Sequence, residues 1–124
     1  IYFSNELAQR IYGASDIFLM PSNYEPCGIG QLIAMRYGAA PVVRETGGLK
    51  DTVHQYDKYE STGNGFVFSN YNAHEMMYAL KRALSTYGNF DIWIKIVSNA
   101  MKSDYSWTES AREYKELYEK LINK

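Results

Sequence analysis

The chain has 124 residues, 46% of them apolar and 22% charged, which suits one compact domain with a real core and excludes two. Its net charge of −1 excludes a general attraction to nucleic acid or an anionic membrane, and no apolar run approaches the ~20 residues of a membrane helix. The single cysteine, Cys27, excludes an internal disulfide and a cysteine-rich metal site. It fits a reducing compartment, and no basic-then-apolar segment opens the sequence, so a cytoplasmic setting is expected.

Residues 5–14 are predicted to form a helix. Leu7, Ala8, Ile11 and Tyr12 share one face, Ser4 is placed to cap it, and Gly13 can end it. Residues 16–20, DIFLM, suit a strand buried on both faces, stopped by Pro21. Residues 22–27 read as a loop between two prolines, with Asn23 favouring a turn. A helix opens near Gly28 and runs through Leu32, Ile33 and Arg36 to Gly38. Residues 40–44, APVVR, form a second buried strand, with Pro41 allowed only near its start. Residues 46–48 turn the chain into a short helix over 49–54, and 55–63 is a polar surface loop. Asn64-Gly65 marks a turn, and 65–69, GFVFS, a third strand.

The rest is helical. Asn72 with Glu75 matches a capping box, with Met76, Leu80, Ala83 and Leu84 as the buried stripe. Residues 92–101 place Trp93, Ile96, Val97 and Ala100 on one face. Ser106 with Glu109 matches another capping box, and the last helix is expected to bury Trp107, Ala111, Tyr114, Leu117, Tyr118 and Leu121. Strands alternating with helices imply an α/β fold: a parallel sheet with right-handed crossovers. Three strands make a narrow sheet, so the chain reads as the second half of a larger doubly wound domain.

Gly28-Ile29-Gly30 sits where a loop becomes a helix. The first N–H groups of a helix lack internal partners, and the helix dipole adds positive charge there. Their amides can therefore hold a diphosphate, or the glycines can simply permit a tight turn; the pattern is neither a G-x-G-x-x-G nor a P-loop. Glu25, three residues earlier, can bond sugar hydroxyls or support positive charge at an anomeric carbon. Equally, it can be an acid favoured by the helix dipole. Glycoside hydrolysis needs a carboxylate pair, and no second acid lies beside Glu25; Glu45 follows the next strand. Thr46-Gly47-Gly48 is a second strand-to-helix turn on the same sheet edge, and two such turns make a cleft. Asp51 reads as a first-turn helix residue. Neither His54 nor His74 is placed to serve Cys27 as a base, and two isolated histidines give no metal site. Phe3 can stack on a base or staple the first helix.

Several stretches in order carry a resemblance. They are G-A-S-D at 13–16, M-P-S-x-x-E-P-C-G at 20–28, R-Y-G-x-x-P-V-V-R at 36–44, T-G-G-L-x-D-T-V at 46–53, G-x-G-F-V-F at 63–68 and D-Y-S-W at 104–107. Nearly the whole chain thereby resembles the bacterial glycogen synthases and plant starch synthases. The resemblance implies the later part of the Rossmann-like C-terminal, nucleotide-sugar-binding domain of a GT-B glycosyltransferase. It implies retaining transfer of glucose from ADP-glucose to the non-reducing end of an α-1,4-glucan, with no metal and no cofactor. Motif by motif, Glu25 would contact the donor glucose and support transfer, and the Cys27–Gly28 backbone would line the sugar pocket. The amides of Ile29 and Gly30 would hold the distal phosphate, Thr46 and Gly47 would join the substrate site, and Phe3 would stack on adenine. The final helix, 107–123, would pack against an N-terminal domain.

Many related retaining transferases carry a second glutamate eight residues after the first, where this sequence has Ile33; glycogen and starch synthases commonly lack it as well. The family's basic pair for the diphosphate and its lysine-containing glycine motif have no counterpart here. The chain is therefore expected to be part of a longer enzyme and inactive alone. A transferase using UDP-glucose or another nucleotide sugar is the alternative, and a non-catalytic nucleotide- or glucan-binding module another. The apolar stripes of the first and last helices also suggest a surface through which the isolated chain could dimerise.

Overall fold

Short apolar runs rich in β-branched and aromatic residues give three strands among the described residues, and amphipathic segments before, between and after them give six helices. The structure, a computed structural model, describes residues 4–122. In chain order the elements are α1 (Asn5–Ala14), β1 (Ile17–Met20), α2 (Gly30–Arg36), β2 (Ala40–Arg44), α3 (Gly47–Thr52), β3 (Phe66–Phe68), α4 (Ala73–Tyr87), α5 (Phe90–Lys102) and α6 (Trp107–Ile122). The sheet order is β1-β2-β3, all parallel, with Ile17 opposite Ala40 and Val42 opposite Phe66.

β2 is the central strand because it is apolar on both faces, and Ala40 through Val43 are all buried. On one face Ala40, Val42, Phe66 and Phe68 meet Ala79 and Ala83 of α4 and Trp93 and Ile96 of α5. Trp93 stacks on Phe66 at 6.4 Å between centroids and meets the edge of Tyr87 at 5.0 Å. On the other face Val43 packs with Leu49 and Val53, flanked by Met20 and Val67, and α2 brings Gly30 against the ring of Phe18. Helices thus cover both faces of the sheet. Each large apolar side chain buried here contributes roughly 1.5–3 kcal/mol.

α5 runs past the amino ends of the strands. Val97 and Met101 approach Gly38, and Asn99 Nδ2 donates to the carbonyls of Ser61 (2.9 Å) and Gly63 (2.8 Å). The loops that leave the strands lie at the opposite end, where β1, β2 and β3 finish.

Several expectations need correcting. α2 begins at Gly30 and α3 at Gly47, so the first helix of the pair starts later than expected and the second earlier. Leu84 is 55% exposed; α4 buries Ala83, as expected, together with Ala79, and these small residues let the helix lie close on β3. Asn72 does cap α4, accepting from the Glu75 N–H at 2.9 Å. The Glu75 carboxylate does not complete a box. It accepts from the backbone N–H groups of Asn70 (2.8 Å) and Ser69 (3.2 Å) and from the Asn70 side chain, fastening the turn after β3. Glu109 likewise turns to Arg112, although Ser106 Oγ accepts from its N–H at 3.3 Å. α6 buries none of its residues, and Trp107 is 88% exposed. Its apolar face meets no partner among the described residues, whereas that of α1 leaves Leu7 and Ile11 exposed but packs Tyr12 against Phe18 and Tyr37. Asn64, at the expected turn, is buried. Its amide accepts from His54 N–H (2.7 Å) and donates to the Thr52 carbonyl (3.0 Å) and Ser103 Oγ (3.2 Å).

Candidate functional site

The loops leaving β1, β2 and β3 gather at the carboxyl edge of the sheet, where α/β layers place their ligands. Arg44, the last residue of β2, ties the outer two together. Its Nε donates to the Ser22 carbonyl (3.1 Å), Nη1 to the Ser69 carbonyl (3.1 Å) and Nη2 to the Asn23 carbonyl, and its guanidinium lies 5.8 Å from the Tyr71 ring. A planar five-donor fork suits this work. Arg44 is the only cation of the three strands, and three of its five N–H donors go to backbone carbonyls.

The structure brings the loop of Glu25 onto the turn of Thr46, Gly47 and Gly48. Gly48 N–H is shared between the carbonyls of Glu25 and Pro26, each at 3.2 Å. A Cβ on Gly47, whose φ is +45°, would sit 2.0 Å from the Glu25 carbonyl oxygen, and one on Gly48 would sit 2.0 Å from that of Cys27. The glycine pair is therefore required by close backbone approach. Cys27 is exposed. Gly28 is buried with φ +74°, and Ile29 is 65% exposed.

Two helices that start at this edge differ from the others. Side-chain oxygens of Ser4, Asn72 and Asn89 cap α1, α4 and α5. No side chain caps α2 at Ile29 or α3 at Thr46. The first amides of α2 are thus left without a side-chain oxygen, the condition for receiving an anion.

Two side chains that the spacing of the motifs did not single out hold this loop from beneath. Gln31 is fully buried, and its Nε2 faces the carbonyls of Gly28 (2.8 Å) and Cys27 (3.3 Å) and the hydroxyl of Thr52 (3.2 Å). The Thr52 hydroxyl donates to the Gly48 carbonyl at 2.6 Å. Tyr105, before α6, donates its hydroxyl to the Thr52 carbonyl at 2.7 Å, and burial pushes that phenol's pKa up, keeping it a donor. Nearby, the Ser106 backbone N–H holds the Asp104 carboxyl below the usual carboxylate range. A local pattern of glycines and acids could flag the loop, but not a glutamine and a threonine that meet only in the fold.

Glu45, whose direction the sequence left open, accepts from Ser69 Oγ at 2.8 Å and is turned toward the end of β3. Asp51 is exposed on α3. Phe3 lies outside the described residues. Among the described residues no three His, Cys, Asp or Glu side chains gather as a metal site, and no helix is long and apolar enough to cross a membrane. Two cavities of about 670 and 680 Å³ lie away from the Glu25 loop, one beside Lys81 and Arg82 of α4, the other between α2 and residues 100–106.

The family model "Glycosyl transferases group 1" matches residues 2–99. The glycogen synthase of Clostridium perfringens (strain 13 / Type A) is 62% identical over 122 residues, covering 98% of this chain and 25% of that protein. That of Bacillus subtilis (strain 168) is 56% identical over 121 residues, with coverage of 98% and 25%. Among solved structures, the catalytic domain of starch synthase IV from Arabidopsis thaliana, bound to ADP and acarbose, matches with a TM-score of 0.85 and 40% identity. It covers all of this chain and 26% of that one. The chain spans about a quarter of the length of the relatives it matches. Its parallel layer, with helices on both faces, is that of the GT-B donor-binding domain. The chain belongs to the group 1 glycosyl transferases.

Proposed function

We propose that the chain is the later part of the donor-binding domain of a retaining glucan synthase, transferring glucose from ADP-glucose to the non-reducing end of an α-1,4-glucan. The observation that carries this reading is the joining of the Glu25 loop, the uncapped start of α2 and the Gly47-Gly48 turn at one sheet edge. Identity of 53–62% to proteins named glycogen synthase supports it. So does the likeness to a starch synthase domain bound to ADP.

Glu25 contacts the donor glucose, and the Cys27–Gly28 backbone lines the sugar pocket. The amides of Ile29 and Gly30 receive the distal phosphate beside Thr46 and Gly47. Phe3 stacks on adenine. In transfer, the bond from the anomeric carbon to the diphosphate breaks, and the acceptor hydroxyl oxygen bonds the same face of that carbon. The hydroxyl proton leaves with the diphosphate. Negative charge gathers on the departing ADP, where preorganised amides stabilise it most, so no covalent enzyme intermediate is required. No metal or cofactor is invoked.

The acceptor side of the cleft belongs to an N-terminal domain of the same parent chain. The stretch 107–123 crosses to that domain, which covers the apolar face left open on α6. The isolated 124 residues are therefore inactive, free to dimerise through that face, and the parent works in the cytoplasm. The test is donor competition in the parent protein. ADP-glucose should outcompete UDP-glucose for transfer to glycogen; the reverse order would favour a related synthase of different nucleotide specificity.

A further inference from the structure

Thr52 is a node of four hydrogen bonds that reach α2, its own helix, the turn before β3 and the segment before α6. Its hydroxyl donates to the Gly48 carbonyl (2.6 Å) and accepts from Gln31 Nε2 (3.2 Å). Its carbonyl accepts from Tyr105 Oη (2.7 Å) and Asn64 Nδ2 (3.0 Å). Because the single hydroxyl proton is spent on Gly48, the oxygen can only accept from Gln31. That fixes the orientation of the Gln31 amide, with its N–H groups toward Thr52 and the loop and its Oε1 toward the Cα of Gly28. Oε1 is buried without a partner, 2.5 Å from where a Gly28 Cβ would lie.

This orientation controls two peptide planes. Gln31 Nε2 draws the carbonyls of Cys27 and Gly28 inward. All the described peptide bonds are trans, and in a trans peptide the N–H points opposite to the preceding carbonyl. The amides of Gly28 and Ile29 therefore point away from Gln31 and the fold interior, toward the open side of the loop. Gln31 and Thr52 act through the backbone that their side chains hold.

We propose that Gln31 and Thr52 are positioning residues for the donor site, aiming the Gly28 amide into the sugar pocket and the Ile29 amide at the diphosphate of the nucleotide sugar. The inference rests on the proposed function. Without the Thr52 hydroxyl, the Gln31 amide loses one of the three acceptors that hold its N–H side toward the loop, and the peptide planes are held less firmly. A glutamate at 31 offers acceptors only, directly against the Cys27 and Gly28 carbonyls.

The test is ADP binding by calorimetry to the full-length parent, in wild type, Thr52→Val, Thr52→Ser, Gln31→Glu and Glu25→Ala. Thr52→Val is expected to weaken ADP about tenfold, roughly the loss of one charge-assisted hydrogen bond. Thr52→Ser, which keeps the hydroxyl, should stay within about twofold of wild type, and Gln31→Glu should lose more than Thr52→Val. Glu25→Ala should keep ADP affinity, because its partner is the sugar. Thermal melting of each variant separates this from general damage: a lowered melting temperature with unchanged ADP affinity would make Thr52 merely structural and overturn the inference. Equal weakening by Thr52→Ser and Thr52→Val would overturn it also. Absence of ADP binding in the wild type would overturn the proposed function and the inference together.

Discussion

Gly48 and Glu25 are joined directly: the backbone N–H of Gly48 donates to the carbonyls of Glu25 and Pro26, 3.2 Å from each. The turn after the second strand therefore sets the position of the loop after the first. A Cβ at Gly48 would lie 2.0 Å from the Cys27 carbonyl oxygen, a clash with backbone rather than with a movable side-chain end. Gly48→Ala should cost about 3 kcal/mol or more of stability, at the upper end of overpacking. It should also displace Glu25, lowering turnover by more than about a hundredfold, since small misplacements at reacting centres cost that much. Chemical unfolding and a transfer assay on the parent protein check the two effects separately.

Arg44 laces the loops after β1 and β3 through three backbone carbonyls. Arg44→Met keeps much of the stem and removes the fork. It should destabilise the parent by roughly 1–2 kcal/mol, because three backbone carbonyls lose a charged donor, although only the bond to Ser22 is partly buried. Arg44→Lys should recover only a fraction, since one ammonium cannot reach three diverging acceptors. Unfolding midpoints of the two variants decide the point.

Much of this architecture was legible in the sequence. The alternation of short apolar runs with amphipathic ones gave three parallel strands and the helices between them. Gly28–Gly30 and Thr46–Gly48 marked the turns at one edge. What was not legible depends on distance along the chain. Gln31 and Thr52 are ordinary helix residues locally, and their bond spans 21 positions. Asn64 looked like a turn residue because Asn-Gly favours turns; in the fold it satisfies three groups at a buried junction. Glu75 matched a capping box by spacing, yet the turn before it offered better donors in Ser69 and Asn70. The stripe of α6 reveals which side is apolar but not what covers it. Hence Leu117, Tyr118 and Leu121 are exposed here, although the pattern predicts burial.

The Glu75 carboxyl is held below its ordinary pKa, first by the Asn70 side chain and then by the backbone N–H groups of Asn70 and Ser69. A depressed carboxylate pKa means that the unfolded chain binds a proton more readily than the folded one. The stabilisation is present above the unfolded value near 4.5 and is lost as pH falls through the lower folded value. The turn over residues 69–72 should loosen on that acid limb, and Glu75→Gln should remove the limb. Amide chemical shifts of Ser69 and Asn70 followed through acid titration would reveal it; a flat profile in the wild type would refute it.

The exposed face of α6 should make the isolated chain self-associate. Leu117→Ser with Leu121→Ser ought to shift sedimentation toward monomer without changing helical content, because neither side chain packs on the rest of the fold. In the full-length parent the proposed docking of the N-terminal domain on this face predicts that the same pair lowers stability. Unchanged parental stability would show that the N-terminal domain docks elsewhere.

The most direct measurement is glucose transfer to glycogen by the full-length parent, from ADP-glucose and separately from UDP-glucose, for wild type and Glu25→Ala. The account predicts transfer from ADP-glucose that falls by at least about a hundredfold in Glu25→Ala, the scale of losing one electrostatic contact at the reacting centre. No transfer from either donor, or a Glu25→Ala variant as active as wild type, would contradict it.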